Sequence, residues 1–181
     1  MTPIYRLLSL LLYSALFTLT LGKSLKASVT PGSLQQVTSF GSNPTNVGMY
    51  IYVPNNLASE PGIVVAIHYC KSIDFIQNRY PLTRKGTGTA EAYYNGSPYA
   101  QLAEQHGFIV IYPESPYSGS CWDVSSQSTL THNGGGNSNS IANMVAWTIE
   151  EYGVDTSKVF VTGSSSGAMM TVCIPLLRHI L

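Results

Sequence analysis

Three short apolar runs dictate most of what this chain can become: "GIVVAIH" (Gly62–His68), "FIVIYPE" (Phe108–Glu114) and "VFVT" (Val159–Thr162). A strand with one face in water alternates apolar and polar residues, whereas an unbroken apolar run is expected of a strand buried on both faces. Helical stretches lie between them. "SPYAQLAEQHG" (Ser97–Gly107) opens on Ser97-Pro98, carries helix formers and stops at Gly107. "IANMVAWTIEEYG" (Ile141–Gly153) follows the Gly/Asn/Ser loop "THNGGGNSNS". Strand–helix–strand–helix–strand with apolar strands predicts an α/β fold, a parallel sheet with crossover helices. Two further short strands, Val37–Phe40 and Met49–Val53, are predicted upstream, separated by the turn residues of "GSNPTNVG". No repeat interrupts the pattern, and 181 residues make at most one domain.

The N-terminus is expected to lie outside that domain. Met1–Arg6 carries one positive charge, Leu7–Gly22 is apolar, and small residues follow. This predicts a signal peptide over 1–27, cleaved after Gly22, Ser24 or Ala27, and hence a secreted, extracellular protein. The run is short for a membrane span and lacks a basic stop-transfer flank.

At 44% hydrophobic and 10% charged residues the chain is globular rather than disordered. The zero formal charge hides an uneven distribution. Eight of nine Lys and Arg fall in the leader region (Arg6, Lys23, Lys26), in one cluster (Lys71, Arg79, Arg84, Lys85) or in the last residues (Arg178). In the remaining body eight carboxylates face Lys158 alone, a charge near −7. Such a body excludes nucleic acid as a partner, because phosphate binding needs Lys and Arg. An uncharged substrate fits it better.

Three cysteines, Cys70, Cys121 and Cys173, read as one disulfide pair and one leftover, with no zinc spacing and no metal expected. Asn95-Gly96-Ser97 is a glycosylation sequon.

The chemistry is carried by Gly163-Ser164-Ser165-Ser166-Gly167, a G-x-S-x-G placed between the strand Val159–Thr162 and a following helix. That context is the one a nucleophile elbow requires, so Ser165 is the expected nucleophile. The Ser166 amide, at the helix start, would supply one oxyanion donor, and backbone near Tyr69-Cys70, after the strand Gly62–His68, the second. His68 precedes the serine and so does not fit the chain order serine, acid, histidine. It is expected to anchor a loop. His106 and His132 are expected to be solvated or structural, and Glu114 and Asp123 to be structural carboxylates.

The segments "IVVAIHYC" and "IVIYPESPYSGSCWDVSSQSTLTHNGGGNSNSIANMVAWTIEEYGVDTSKVFVTGSSSGAMM" resemble the fungal acetylxylan esterase and feruloyl esterase family, relatives of the polyhydroxybutyrate depolymerases. The likeness runs through most of Val37–Met170 and is closest to the acetylxylan esterases. It rests most specifically on His68-Tyr69-Cys70, Cys121-Trp122-Asp123 and Gly163–Met170. It implies a secreted serine esterase of the α/β-hydrolase fold that needs no cofactor and releases acetyl groups from acetylated plant xylan, as a monomer. It also implies a Cys70–Cys121 disulfide and an oxyanion contribution near Cys70.

The sequence departs from that family in two places. "KSIDFIQNRYPLTRKG" (Lys71–Gly86) stands where the family passes directly to a segment like "TGTAEAYY" (Thr87–Tyr94). After Thr171 the family continues to the triad Asp and His, whereas here "VCIPLLRHIL" (172–181) follows. We read both as translated introns. The genetic code allows Cys70-Lys71-Ser72 to contain GTAAGT, Leu82-Thr83 CTAAC and Val172-Cys173 GTATGT. The alternative is a genuine insertion with a natural truncation. The expected domain is then a partial esterase domain over 28–171, interrupted at 71–86 and followed by a read-through tail at 172–181. No Asp or Glu follows Ser165, and the only later histidine is His179 in the tail. Such a chain is expected to be an incomplete hydrolase fold with poor activity, an unpaired apolar strand edge and low solubility.

Three alternatives remain at this level. A feruloyl esterase would share the elbow. A non-catalytic xylan-binding protein would use Tyr93, Tyr94, Tyr99, Tyr117 and Trp122 as stacking surfaces. A gene-model artefact would have no function of its own.

Overall fold

The computed structural model describes residues 29–71 and 87–174. The expected leader at 1–27, nearly all of the expected insertion at 71–86, and 175–181 of the expected tail, with His179, lie outside the described residues. The described chain is a mixed α/β structure around a five-stranded sheet of order β1-β2-β4-β3-β5. The strands are β1 (Leu34–Val37), β2 (Gly48–Tyr52), β3 (Ile63–Ile67), β4 (Ile109–Glu114) and β5 (Val159–Gly163). The three apolar runs form β3, β4 and β5, which pair in parallel. β2 pairs antiparallel with β4, and β1 pairs antiparallel with β2.

Period-two alternation along the parallel strands feeds two separate cores. Ile63, Val65, Ile67, Ile109 and Ile111 point to one face, where α4 (Asn137–Tyr152) and α5 (Ser166–Cys173) bring Ile141, Met144, Val145 and Met170. Ala66, Val110 and Tyr112 point to the other, under α1 (Ala90–Gly96) and α2 (Tyr99–His106). This is why the β3 and β4 runs are continuous: alternate residues have a core on either side. β5 departs from the expected burial on both faces, because it is the edge of the described sheet and leaves Phe160 61% exposed. α3 (Gln127–Leu130) is a single turn packed on α4.

Several boundaries differ from expectation. The first strand lies at Leu34–Val37 rather than Val37–Phe40, because its ladder with β2 ends at Val37↔Met49 and Phe40 packs in the core from the following loop. α4 starts four residues before Ile141. Its early residues Asn137, Ser138 and Ser140 are buried and polar, and each is hydrogen-bonded: Asn137 Nδ2 and Ser140 Oγ to Thr45 Oγ1 at 3.0 and 2.9 Å, Ser138 Oγ to the Thr129 carbonyl at 2.5 Å. Partners distant in sequence therefore make a helix of what reads locally as loop. α1 was not anticipated; its start is capped by the Thr89 hydroxyl, which accepts from the Ala92 amide, and by the Glu114 carboxylate, which accepts from the Ala90 amide.

The topology fixes where a site belongs. The chain passes from β3 to β4 on one side and then crosses back to β5 on the other. The carboxyl ends of β3 and β5 therefore meet at a point where the winding reverses, the place where open α/β sheets bind ligands. His68–Lys71 and Ser164–Gly167 emerge there.

Candidate active site

Ser165 sits between β5 and α5 with φ 52° and ψ −119°, a left-side conformation rare outside glycine. The chain reverses sharply at this residue, and the serine is left exposed at the top of the sheet. Both flanking glycines are needed for the turn to pack. A Cβ on Gly163 would lie 2.5 Å from the carbonyl carbon and oxygen of Gly167, and a Cβ on Gly167 would lie 2.5 Å from the His68 carbonyl oxygen. The elbow is thus pressed onto the end of β3, and the Ser164 amide donates to the Ile67 carbonyl at 3.1 Å. Ser166 opens α5, at a position where backbone N–H groups have no partner inside a helix. The Ser166 hydroxyl is buried and without a hydrogen-bond partner among the described residues.

The segment after β3 is held by a set of ties to the loop after β4. Cys70 is disulfide-bonded to Cys121, and the Lys71 amide donates to the Gly119 carbonyl at 2.9 Å. Trp122 Nε1 donates to the His68 carbonyl at 2.8 Å, and the Ser115 hydroxyl to the Cys121 carbonyl at 2.8 Å. His68 is fully buried against the Trp122 ring. Its Nε2 accepts from the Ser115 amide at 3.1 Å and its Nδ1 donates to the Tyr69 carbonyl at 2.7 Å. Both ring nitrogens are therefore occupied, and burial holds the imidazole pKa below its ordinary value. His68 is a neutral anchor and offers no free nitrogen to a serine.

The other polar candidates are accounted for structurally. Asp123 accepts from the Ser126 hydroxyl, which lowers its pKa, and from the Ser125 and Ser126 amides and the Thr129 hydroxyl. Glu114 caps α1, as described above. His106 ends α2 beside the starts of β3 and β5, the opposite end of the sheet from Ser165. His132 is an exposed loop residue. Asn95 is exposed near the end of α1. Cys173 is a free thiol buried in α5, and burial raises its pKa.

Of the five aromatic residues considered as stacking surfaces, Tyr93, Tyr94 and Tyr99 pack around the core under α1 and α2, and Trp122 is 4% exposed. Only Tyr117, at 45%, stands out from the surface. Sequence reasoning missed the clamp itself, above all Ser115 and Gly88. Gly88 has φ +52°, and a Cβ there would lie 2.5 Å from the Lys71 amide nitrogen and 2.7 Å from the Tyr69 carbonyl oxygen. A glycine two residues after an apparent insertion was the available clue. Among the described residues no three His, Cys, Asp or Glu gather as a metal site, and no helix is long and apolar enough to cross a membrane.

Residues 48–178 match the family described as Esterase PHB depolymerase. A probable acetylxylan esterase A of Aspergillus clavatus is 68% identical over 173 residues, 94% of this chain and 51% of the relative. The acetylxylan esterase A of Aspergillus awamori is 75% identical over 140 residues, 77% of this chain and 41% of that protein. A solved acetyl xylan esterase structure from Aspergillus awamori superposes with a TM-score of 0.69 at 73% identity, covering 79% of this chain and 46% of the other. The chain spans about half the length of the relatives it matches.

Proposed function

This chain belongs to the esterase PHB depolymerase family, and from that premise we propose that it carries the nucleophile and oxyanion elements of a secreted acetylxylan esterase of the α/β-hydrolase fold. One observation carries the reading. Ser165 is exposed on a strained strand-to-helix turn at the carboxyl end of the parallel strands, with glycines on both sides where side chains would collide. The Ser165 hydroxyl, giving its proton to a base, attacks the acetyl carbonyl, and the amides of Ser166 and the Cys70 segment stabilise the oxyanion. The intermediate collapses with cleavage of the ester C–O bond, the sugar leaves as its hydroxyl on taking up that proton, and water then releases acetate from the acyl-enzyme. The clamp on Tyr69–Lys71 serves this by holding one oxyanion donor still before charge develops, so that little reorganisation is needed in the transition state.

The serine needs a base, and among the described residues His68 has neither nitrogen to give. The residues after Ser165 contain no carboxylate. The base that Ser165 would use is therefore not among the described residues, and the relatives matched here are about twice as long as the stretch they share with this chain. The test is a chimera in which the A. awamori enzyme beyond its counterpart of Ile174 is fused after Ile174 of this chain. It is expected to release acetate from acetylated xylan, with kcat falling by about 10⁴ or more in Ser165→Ala. A folded chimera without activity, or activity that survives Ser165→Ala, would overturn the proposal.

A further inference from the structure

Two large aromatic side chains stand out from the described surface, Phe160 in the middle of β5 and Tyr117. Tyr117 lies in the loop after β4, at the carboxyl end of the parallel strands, where Ser165 also emerges. A single exposed ring is ordinary on a protein surface, but the mounting of this one is not. Pro116 fixes the backbone φ just before it. The Tyr117 amide donates to the Ser115 hydroxyl at 3.3 Å, and the Tyr117 carbonyl accepts from the Ser120 amide at 2.8 Å, closing the turn Tyr117–Ser120. Within that turn the Gly119 carbonyl accepts from the Lys71 amide, and just beyond it Cys121 is disulfide-bonded to Cys70. The ring is thus carried by the frame that fixes Tyr69–Lys71, the segment proposed to supply an oxyanion donor.

What the ring meets follows from its chemistry and its place. Pro116, Tyr117, Ser118 and Gly119 are all exposed, and a Cβ added at Gly119 would meet nothing within 4 Å, so the turn borders open surface rather than a closed pocket. No residue from Ser115 to Cys121 is charged. An open, uncharged aromatic face suits a pyranose ring, whose C–H bonds gather on its faces while its hydroxyls point to water. β4 lies two strands from β5, roughly 10 Å across the sheet. That is farther than an acetyl group reaches from Ser165, but within a short run of linked sugars. We propose that Tyr117 stacks on the xylose main chain of acetylated xylan and so selects which sugar presents its acetyl group to Ser165. Tyrosine offers a large, rigid contact area for the loss of only two side-chain torsions. Because its turn is tied to the oxyanion segment, binding energy gained on a remote sugar orients the ester. The inference deepens the reading proposed above and rests on it for the identity of the polysaccharide.

The test uses the chimera described above and unacetylated xylohexaose, whose binding needs neither an ester nor a base. Calorimetry should show binding that Tyr117→Ala weakens roughly tenfold or more, as loss of an aromatic anchor does, at an unchanged urea midpoint. Tyr117→Phe keeps the ring and should bind within about threefold of the parent. In the active chimera, Tyr117→Ala should lower kcat/KM for acetylated xylan roughly tenfold relative to that for para-nitrophenyl acetate, through KM. Absence of xylohexaose binding, indifference to Tyr117→Ala, an equal loss in Tyr117→Phe, an unchanged ratio between the two esters, or Tyr117-dependent binding of cellohexaose in place of xylohexaose would each overturn the proposal. Tyr117-dependent binding by a chimera that releases no acetate counts against the esterase reading and leaves the stacking platform standing.

Discussion

The backbone amide of Ser115 donates to Nε2 of His68 at 3.1 Å, so the proton of this buried ring resides on Nδ1 and is given to the Tyr69 carbonyl at 2.7 Å. One side chain thereby ties the end of β3 to the end of β4. A histidine two residues before a disulfide cysteine could be mistaken for a catalytic base; its two bonds make it a bracket for the loop the oxyanion would face.

That bracket should report itself in the pH dependence of stability. Burial lowers the folded-state pKa of His68 from 6.5, outweighing the opposing effects of the Tyr69 carbonyl and the Glu114 charge. Above 6.5 both states leave the ring neutral and stability is full. As pH falls below that value the unfolded chain takes a proton the native ring refuses, and stability declines until the folded pKa is passed. Urea unfolding at pH 7.5 and 5.5 should show this loss. His68→Gln should lower stability by roughly 2–3 kcal/mol and flatten the slope over this interval.

Elbow substitutions should separate backbone from side-chain roles. Gly167→Ala pushes a Cβ into the Ile67 and His68 carbonyls, and should cost about 3 kcal/mol or prevent folding, since the overlap is with backbone rather than with a movable side chain. Ser166→Ala removes a buried hydroxyl that has no partner among the described residues. It should be neutral or stabilising by up to about 1 kcal/mol in thermal unfolding. In the active chimera it should leave kcat nearly unchanged, because the proposed donor is the amide.

The three cysteines should behave differently. The Cys70–Cys121 bond closes a loop across a separation of 51 residues, worth roughly 4 kcal/mol on the chain-entropy account. Mild reduction should lower the urea midpoint accordingly. Cys173 is buried with a raised pKa, so it should resist iodoacetamide in the native protein and react only on unfolding.

Removing 72–86 should be tolerated. The contact of Gly88 with Lys71 and Tyr69 brings the two ends of this segment together, so Lys71 and Thr87 can be joined directly. Shortening the disulfide-closed loop by these residues changes its entropy by only about 0.3 kcal/mol. The deletion variant should unfold within about 1 kcal/mol of the parent. Gly88→Ala, at φ +52° and against backbone, should instead destabilise by about 2 kcal/mol or more.

How much of this was legible follows from the range of the interactions involved. The parallel core was readable because burial on both faces leaves its mark within a single strand: Ile63–Ile67 and Ile109–Glu114 advertise themselves without reference to any neighbour. The elbow was readable for the same reason, since a strand, a turn demanding glycine at fixed offsets and a helix are all local. The start of α4 was not readable, because Asn137 and Ser140 become helical only with Thr45 as a partner, about ninety residues away in sequence. Nor was the antiparallel register that moved the first strand to Leu34, or the role of Ser115, which exists only as an amide aimed at His68. Tertiary structure also decided that β5 ends the described sheet, leaving Phe160 in the open. Side-chain pattern records the burial a residue prefers, but hydrogen bonds and strand order are made between segments, and no single segment encodes its partner.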